Sequence, residues 1–136
     1  MRHLVVGIDG STTSWRALSM AAGIAARYDA EAHACYVSHV PLPVDMTAFA
    51  LPVTPFLDDD DGSDLAREVV KEIEGSAARV DFRCRKGDIA QELEALAESF
   101  QADVIVVGRS SHPALHLGGV PRKLLAMGHR PVLVVP

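Results

Sequence analysis

The sequence predicts an α/β domain: a five-stranded parallel sheet of order 3-2-1-4-5 with helices on both faces. Short β-branched runs alternate with helical periods along the 136 residues. Two of those runs, Leu4–Ile8 and Val104–Val107, are apolar without a break, as central strands covered on both sides require. A third, Val80–Arg85, alternates with charge, which suits a sheet edge. The length gives one domain, 1–136, and 49% hydrophobic residues with only 5% aromatic imply a core of Ala, Val, Leu and Ile.

The elements follow in order. Leu4–Ile8 reads as a buried strand stopped by the turn Asp9-Gly10-Ser11. A helix starts with Ser14 as its N-cap and repeats Trp15, Leu18, Ala22 and Ala25 on one face. Glu31–Val37 is the second strand. Residues 40–62 carry Pro41, Pro43, Pro52, Pro55 and the run Asp58–Asp61, and read as an exposed loop. Helix two spans Ser63–Ser76 with Leu65, Val69 and Ile73 aligned. In strand three, Val80, Phe82 and Cys84 point one way while Asp81, Arg83 and Arg85 point the other. Asp88 and Gln91 resemble a capping box that opens helix three, whose stripe is Ile89, Leu93, Leu96, Ala97 and Phe100. Val104–Val107, a glycine-containing loop, a short helix Val120–Met127 and the strand Val132–Val135 complete the chain.

The last strand is anomalous. Order 3-2-1-4-5 places it at an edge, yet Val132-Leu133-Val134-Val135 is as apolar as a central strand. An exposed apolar edge invites pairing, so the sequence points to a dimer through Val132–Val135. The plainer reading is a strand covered on both faces by its own helices.

Several classes are excluded. A net charge of −5 argues against a nucleic-acid surface, which needs clustered Lys and Arg. No apolar run approaches the roughly 18 residues of a membrane span. Cys35 and Cys84 show no CxxC or metal-ligand spacing, and are expected as buried thiols in a reducing cytosol.

Ligands of open parallel sheets sit beyond the carboxyl ends of the strands, where strand order reverses. Here that point lies between strands one and four, and the loops that meet there are Asp9–Ser14 and Gly108–Gly119. The first supplies a carboxylate and hydroxyls. The second supplies Gly108, Ser110, Ser111 and then Gly118-Gly119-Val120 at a helix start, where backbone N–H groups favour a phosphate. Each loop alone is ordinary turn chemistry; together they suggest a nucleotide pocket.

The segments VVGIDGSTTSWRAL, KGDIAQELEALAESFQADVIVVGRSS and GGVPRKLLAMGHRPVLVV resemble the universal stress protein family, and with the elements between them cover nearly the whole chain. The resemblance implies a Rossmann-like, adenine nucleotide alpha-hydrolase-like fold. It also implies a cytoplasmic protein, usually a homodimer joined through its last strand, and the leading reading is a non-catalytic stress-response protein. Some members bind ATP through Gly-x2-Gly-x9-Gly-Ser/Thr and others do not. This chain departs from that motif. Gly108 matches, but Ser111 replaces the second glycine, the spacer to Gly118 shrinks to six residues, and Gly119 replaces the hydroxyl residue. Ser111 adds a Cβ where backbone approaches a phosphate, and Pro113 in the shortened loop offers no N–H. Asp9 and Val37, which match positions that contact the adenosine part, are retained. The expectation is a pocket whose nucleoside half is intact and whose phosphate half is impaired, taking AMP or another small adenylate more easily than ATP. Arg109 reads as a solvated loop residue before it reads as a phosphate partner.

Other residues are weighed more briefly. Pro113 between His112 and His116 disfavours the helix on which that spacing suits a metal, so no metal site is expected there. His33 and His39 receive no role, Asp58–Asp61 reads as a solvated run, and Trp15 and Phe100 read as packing residues. The competing function is a slow ATPase or phosphotransferase in the same pocket, for which Asp9 is the lone acidic candidate. A flavodoxin lacks its aromatic after strand three here, and a phospho-receiver lacks the Asp that ends that strand.

Overall fold

Among the residues described by the computed structural model, 1–38, 62–109 and 119–136, five strands alternate with four helices. The elements are β1 (His3–Ile8), α1 (Thr12–Tyr28), β2 (Glu31–Ser38), α2 (Ser63–Ile73), β3 (Arg79–Lys86), α3 (Ile89–Ser99), β4 (Val104–Gly108), α4 (Val120–Met127) and β5 (Val132–Val135). All strands pair in parallel, in the order β3-β2-β1-β4-β5. Apart from Gly62, the stretch read as a loop over 40–62 lies outside the described residues.

The period of two along each strand divides the core between the two faces. Leu4, Val6 and Ile8 of β1, Ala32 and Ala34 of β2, and Val104 and Val106 of β4 pack under α1 and α2. Val5, Cys35, Val37, Ile105 and Val107 pack under α3 and α4. Small alanines at Ala17, Ala21, Ala22 and Ala25 let α1 lie close on the sheet. Val69 is the buried residue of α2, with Leu65 and Ile73 beside it.

Three readings are corrected. The N-cap of α1 is Ser11 rather than Ser14: its hydroxyl accepts from the Ser14 amide at 3.2 Å. Gly10 adopts φ +82°, which turns the chain tightly enough to start the helix three residues earlier and bury Ser14 under it. Helix α2 ends at Ile73, before Gly75 at φ +81°. Cys84 is exposed rather than buried, while Cys35 is buried and its thiol is pushed up to about 11 by desolvation. Register pairs Cys84 with Tyr36, one residue beyond Cys35, so the two thiols face opposite sides of the sheet.

A buried ion pair fastens α3 to the segment before β5. Arg130 Nε donates to Glu94 Oε1 at 2.6 Å and Nη2 to Glu98 Oε2 at 2.6 Å. Its Nη1 donates to the Ala97 carbonyl in the last turn of α3 at 3.3 Å and to the Ala102 carbonyl just beyond the helix at 2.9 Å. Glu94 is 7% exposed, so a charge left alone there is costly. Arg130→Ala is expected to lower the unfolding free energy by about 3 kcal/mol, read from urea denaturation.

At the start of β1, Asp103 accepts from the Arg2 and His3 amides at 2.6 and 3.3 Å. Those two bonds hold its carboxyl below the ordinary 3.8. Its contribution to stability is therefore complete above that value and disappears as pH falls through the lower, folded one. Acid unfolding followed by circular dichroism should be less pH-dependent below that value in Asp103→Asn than in the parent chain.

Candidate functional site

The site is built from the turn that ends β1. The backbone reverses at Gly10, and the Ser11 amide donates to Asp9 Oδ1 at 2.9 Å, so the carboxylate folds back over the helix start. Ser14 Oγ donates to the Ser11 carbonyl at 2.9 Å and lies 3.4 Å from the Asp9 amide. Desolvation pushes the Asp9 carboxyl up. Hydrogen bonds from Ser11, Ser14 and its own amide outweigh that and leave it below 3.8, hence ionised at neutral pH.

Beside this turn stands the end of β4. A Cβ on Gly108 would lie 2.5 Å from the Thr13 carbonyl carbon, 2.6 Å from its oxygen and 2.8 Å from the Ser14 nitrogen. Glycine is needed here because the first turn of α1 sits directly on the strand. The space freed by the missing Cβ is filled by protein backbone rather than left open for a phosphate. Thr13 Oγ1 locks the contact by donating to the Arg109 carbonyl at 2.9 Å. Thr13 did not stand out in the sequence, where it is one hydroxyl among four consecutive Ser and Thr residues.

The third part is the start of α4. Gly119 is its N-cap, with φ −53° and ψ 150° and no side-chain cap. Val120 packs against the core under α3. Pro121 removes one N–H from the first turn, a loss the sequence displays directly. Lys123 Nζ reaches Asp88 Oδ2 at 3.1 Å. Asp88, the N-cap of α3, is held below 3.8 by the Gln91 amide first and by Lys123 as well. Asp9, Gly108 and Arg109 therefore meet around the first turn of α1. Gly119 and Val120 stand at the head of α4, and Val37 lies at the same end of the sheet but within the core, 6% exposed. Ser110, Ser111 and Gly118 lie outside the described residues, as do His39, His112, His116 and Asp58–Asp61.

A groove of about 670 Å³ runs along the outer face of α1 from Thr12 in its first turn, lined by Trp15, Met20, Ile24 and Val135 together with the charged Arg16, Arg27 and Glu72. Its floor is largely apolar, its rim is charged, and it borders β5 at Val135. No described helix is long and apolar enough to cross a membrane.

The profile of the universal stress protein family matches residues 1–136. A universal stress protein of Methanocaldococcus jannaschii is 31% identical over 138 residues, an alignment spanning 98% of this chain and 81% of that one. A universal stress protein crystallised in complex with cAMP aligns with TM-score 0.76 and 27% identity, covering 99% of this chain and 97% of the other. The universal stress protein UspA from Lactobacillus plantarum aligns with TM-score 0.79 and 20% identity, covering 99% and 97%.

Gly108→Ala is expected to destabilise the chain by about 1–3 kcal/mol because backbone, not a flexible side chain, meets the new methyl group. Ser11→Ala should cost about 1 kcal/mol through loss of the α1 cap. Both are read from urea midpoints, with unchanged denaturant slopes expected.

Proposed function

The chain belongs to the universal stress protein family, and from that membership we propose that it is a cytoplasmic, non-catalytic, homodimeric stress-response protein that takes a small adenylate, AMP or a cyclic nucleotide, in preference to ATP. The observation that carries this reading is the ionised Asp9 carboxylate held over the first turn of α1 beside Gly108. A fixed carboxylate suits neutral donors such as ribose hydroxyls or an adenine amino group. Val120, only partly buried at the head of α4, supplies apolar surface at the same end of the sheet, whereas Val37 is buried in the core and offers a ligand little surface. The relative bound to cAMP supports an adenylate of this size.

The phosphate side is poorer. Pro121 subtracts a donor from the head of α4, Gly119 brings no hydroxyl, and the Cβ space at Gly108 is filled by Thr13. The Arg109 amide is also spent, donating to the Val135 carbonyl at 2.7 Å. Ser110, Ser111 and Gly118 are assigned to this half from the sequence motif alone.

The dimer reading rests on β5. Val132, Leu133 and Val134 remain only partly covered at the sheet edge. Native mass spectrometry is expected to report a species of twice 14.6 kDa; a monomer at micromolar concentration sinks the dimer.

Calorimetric titration with ATP, AMP and cAMP tests the ligand. The expected result is measurable AMP or cAMP binding with weaker ATP binding, lost in Asp9→Ala; micromolar or tighter ATP binding overturns it. Phosphate release from ATP is expected to be equal for the parent chain and Asp9→Ala, whereas a faster parent would favour a slow ATPase or phosphotransferase.

A further inference from the structure

At the opposite end of the sheet, His3, Glu31 and His33 form a cluster that the adenylate reading does not use. Each β1 residue rises about 3.3 Å, which puts His3 roughly 20 Å from Asp9. The β1–β2 register sets His3 beside Glu31 and Val5 beside His33, so all three side chains leave the sheet on the α3 face. Their ligand atoms lie within 4.8 Å of one another.

His33 is 3% exposed, an unusual place for an imidazole without a task. Its Nδ1 is 2.7 Å from Asp81 Oδ1, and a carboxylate only accepts, so Nδ1 carries the proton. In the neutral ring the lone pair is then on Nε2, which lies 3.2 Å from His3 Nδ1. Asp81 is itself held by Arg83, whose Nε donates to Oδ2 at 3.0 Å and whose guanidinium lies over Phe100, 4.8 Å from the ring centroid. Phe100 stacks on His33 with centroids 3.8 Å apart and planes 13° from parallel. The ring of His33 is thus fixed by a carboxylate on one side and an aromatic on its face. This is how the outer partners of a metal-bound histidine fix its tautomer and orientation.

The remaining donors are placed to match. Asp103 grips the Arg2 and His3 amides and fixes the start of β1. Arg79 Nη1 holds Glu31 Oε1 at 3.5 Å, while Glu31 Oε2 faces His3 Nδ1 at 3.8 Å. Tetrahedral zinc with bonds of about 2.0–2.1 Å sets two ligand nitrogens roughly 3.3 Å apart. The 3.2 Å between the imidazole nitrogens meets that spacing, while Glu31 Oε2, 3.8 Å from His3 Nδ1 and within 4.8 Å of the His33 ligand atom, has to move inward to join them. The same 3.2 Å also suits a hydrogen bond between the two rings, which is the rival account of the pair.

We propose that His3 Nδ1, His33 Nε2 and Glu31 Oε2 bind one divalent transition-metal ion of the zinc type, with Asp81 positioning His33 and a fourth coordination place open to solvent. Two imidazoles with one carboxylate favour zinc and its first-row neighbours over magnesium or calcium, which prefer all-oxygen sites. Partial exposure of His3 and Glu31 gives the ion a way in, with side chains 29% and 44% accessible. The bound ion would join the starts of β1 and β2.

The test is equilibrium dialysis of the full chain against zinc sulfate, with metal counted by mass spectrometry. The visible spectrum of the cobalt-loaded protein reports the geometry. One zinc per chain and a tetrahedral-type cobalt spectrum are expected. His3→Ala and Glu31→Gln, both at partly exposed strand starts, should weaken zinc by at least about tenfold, and Asp81→Asn by about 10–100-fold, as for a residue that orients a ligand. A His39→Ala, His112→Ala, His116→Ala variant should bind as the parent does. Because His33→Ala risks the fold, it is replaced by the nitrogen chemical shifts of His33, which should move at Nε2 on zinc addition. Failure of the parent to retain zinc, full retention by His3→Ala, or loss of zinc in the triple variant would overturn the site. None of these readings depends on whether an adenylate binds.

Discussion

The first turn of α1 rests directly on the backbone of Gly108, and much of the carboxyl end of the sheet depends on that contact. With no Cβ in the way, the Thr13 carbonyl and the Ser14 amide settle over the end of β4. Thr13 then clasps Arg109, and Ser11 and Ser14 complete the cap. The Asp9 carboxylate is placed by the same turn. A methyl group at Gly108 would press on backbone held by helix hydrogen bonds, which has few ways to move aside. The position thus couples the central strand pair, the entry of the first helix and the charge at the proposed adenylate site.

The two faces of the sheet are closed by different means. The α1 face relies on close alanine packing, which leaves little tolerance for larger side chains. The α3 face uses larger aliphatics, Leu93 and Leu96, and accepts a buried charge at Glu94 because Arg130 reaches it from the segment before β5. That pair lets a four-residue edge strand stay in register at the end of the chain. Polar groups also sort by end. Asp9, Asp88 and Lys123 gather at the carboxyl ends of the strands, while Glu31, His3, His33 and Asp81 gather at the amino ends.

How far these features could be read from residues differs by element. The bounds of α4 and β5 are those expected from Val120–Met127 and Val132–Val135, because Gly119, Pro121 and Gly128 bracket a short period and the last strand is uniformly apolar. The start of α1 was missed because Ser11 and Ser14 are equally good caps; only the turn at Gly10 chooses between them. Cys84 was misplaced because alternation assigns a face, not a cover: it lies on the edge strand, where coverage is incomplete. Gly108 was legible as a special glycine but its reason was not, since Thr13 lies far away in sequence. Phe100 reads correctly as a packing residue, although what it packs against, the imidazole of His33 and the guanidinium of Arg83, does not follow from helical spacing.

By itself the sequence determined the periods, and periods determine which residues form strands, which form helices and which side of each is apolar. From these follow the parallel sheet and the end of its strands at which loops converge. Tertiary structure alone decided what lies across from what. His3 and Glu31 are 28 positions apart and become neighbours only through the β1–β2 register, and Arg130 meets Glu94 only after α3 and the segment before β5 have docked. Local pattern says which side of each strand is apolar but not which residue of one strand lies across from which residue of another. Register is set by the joint burial of both faces, a property of the assembled core.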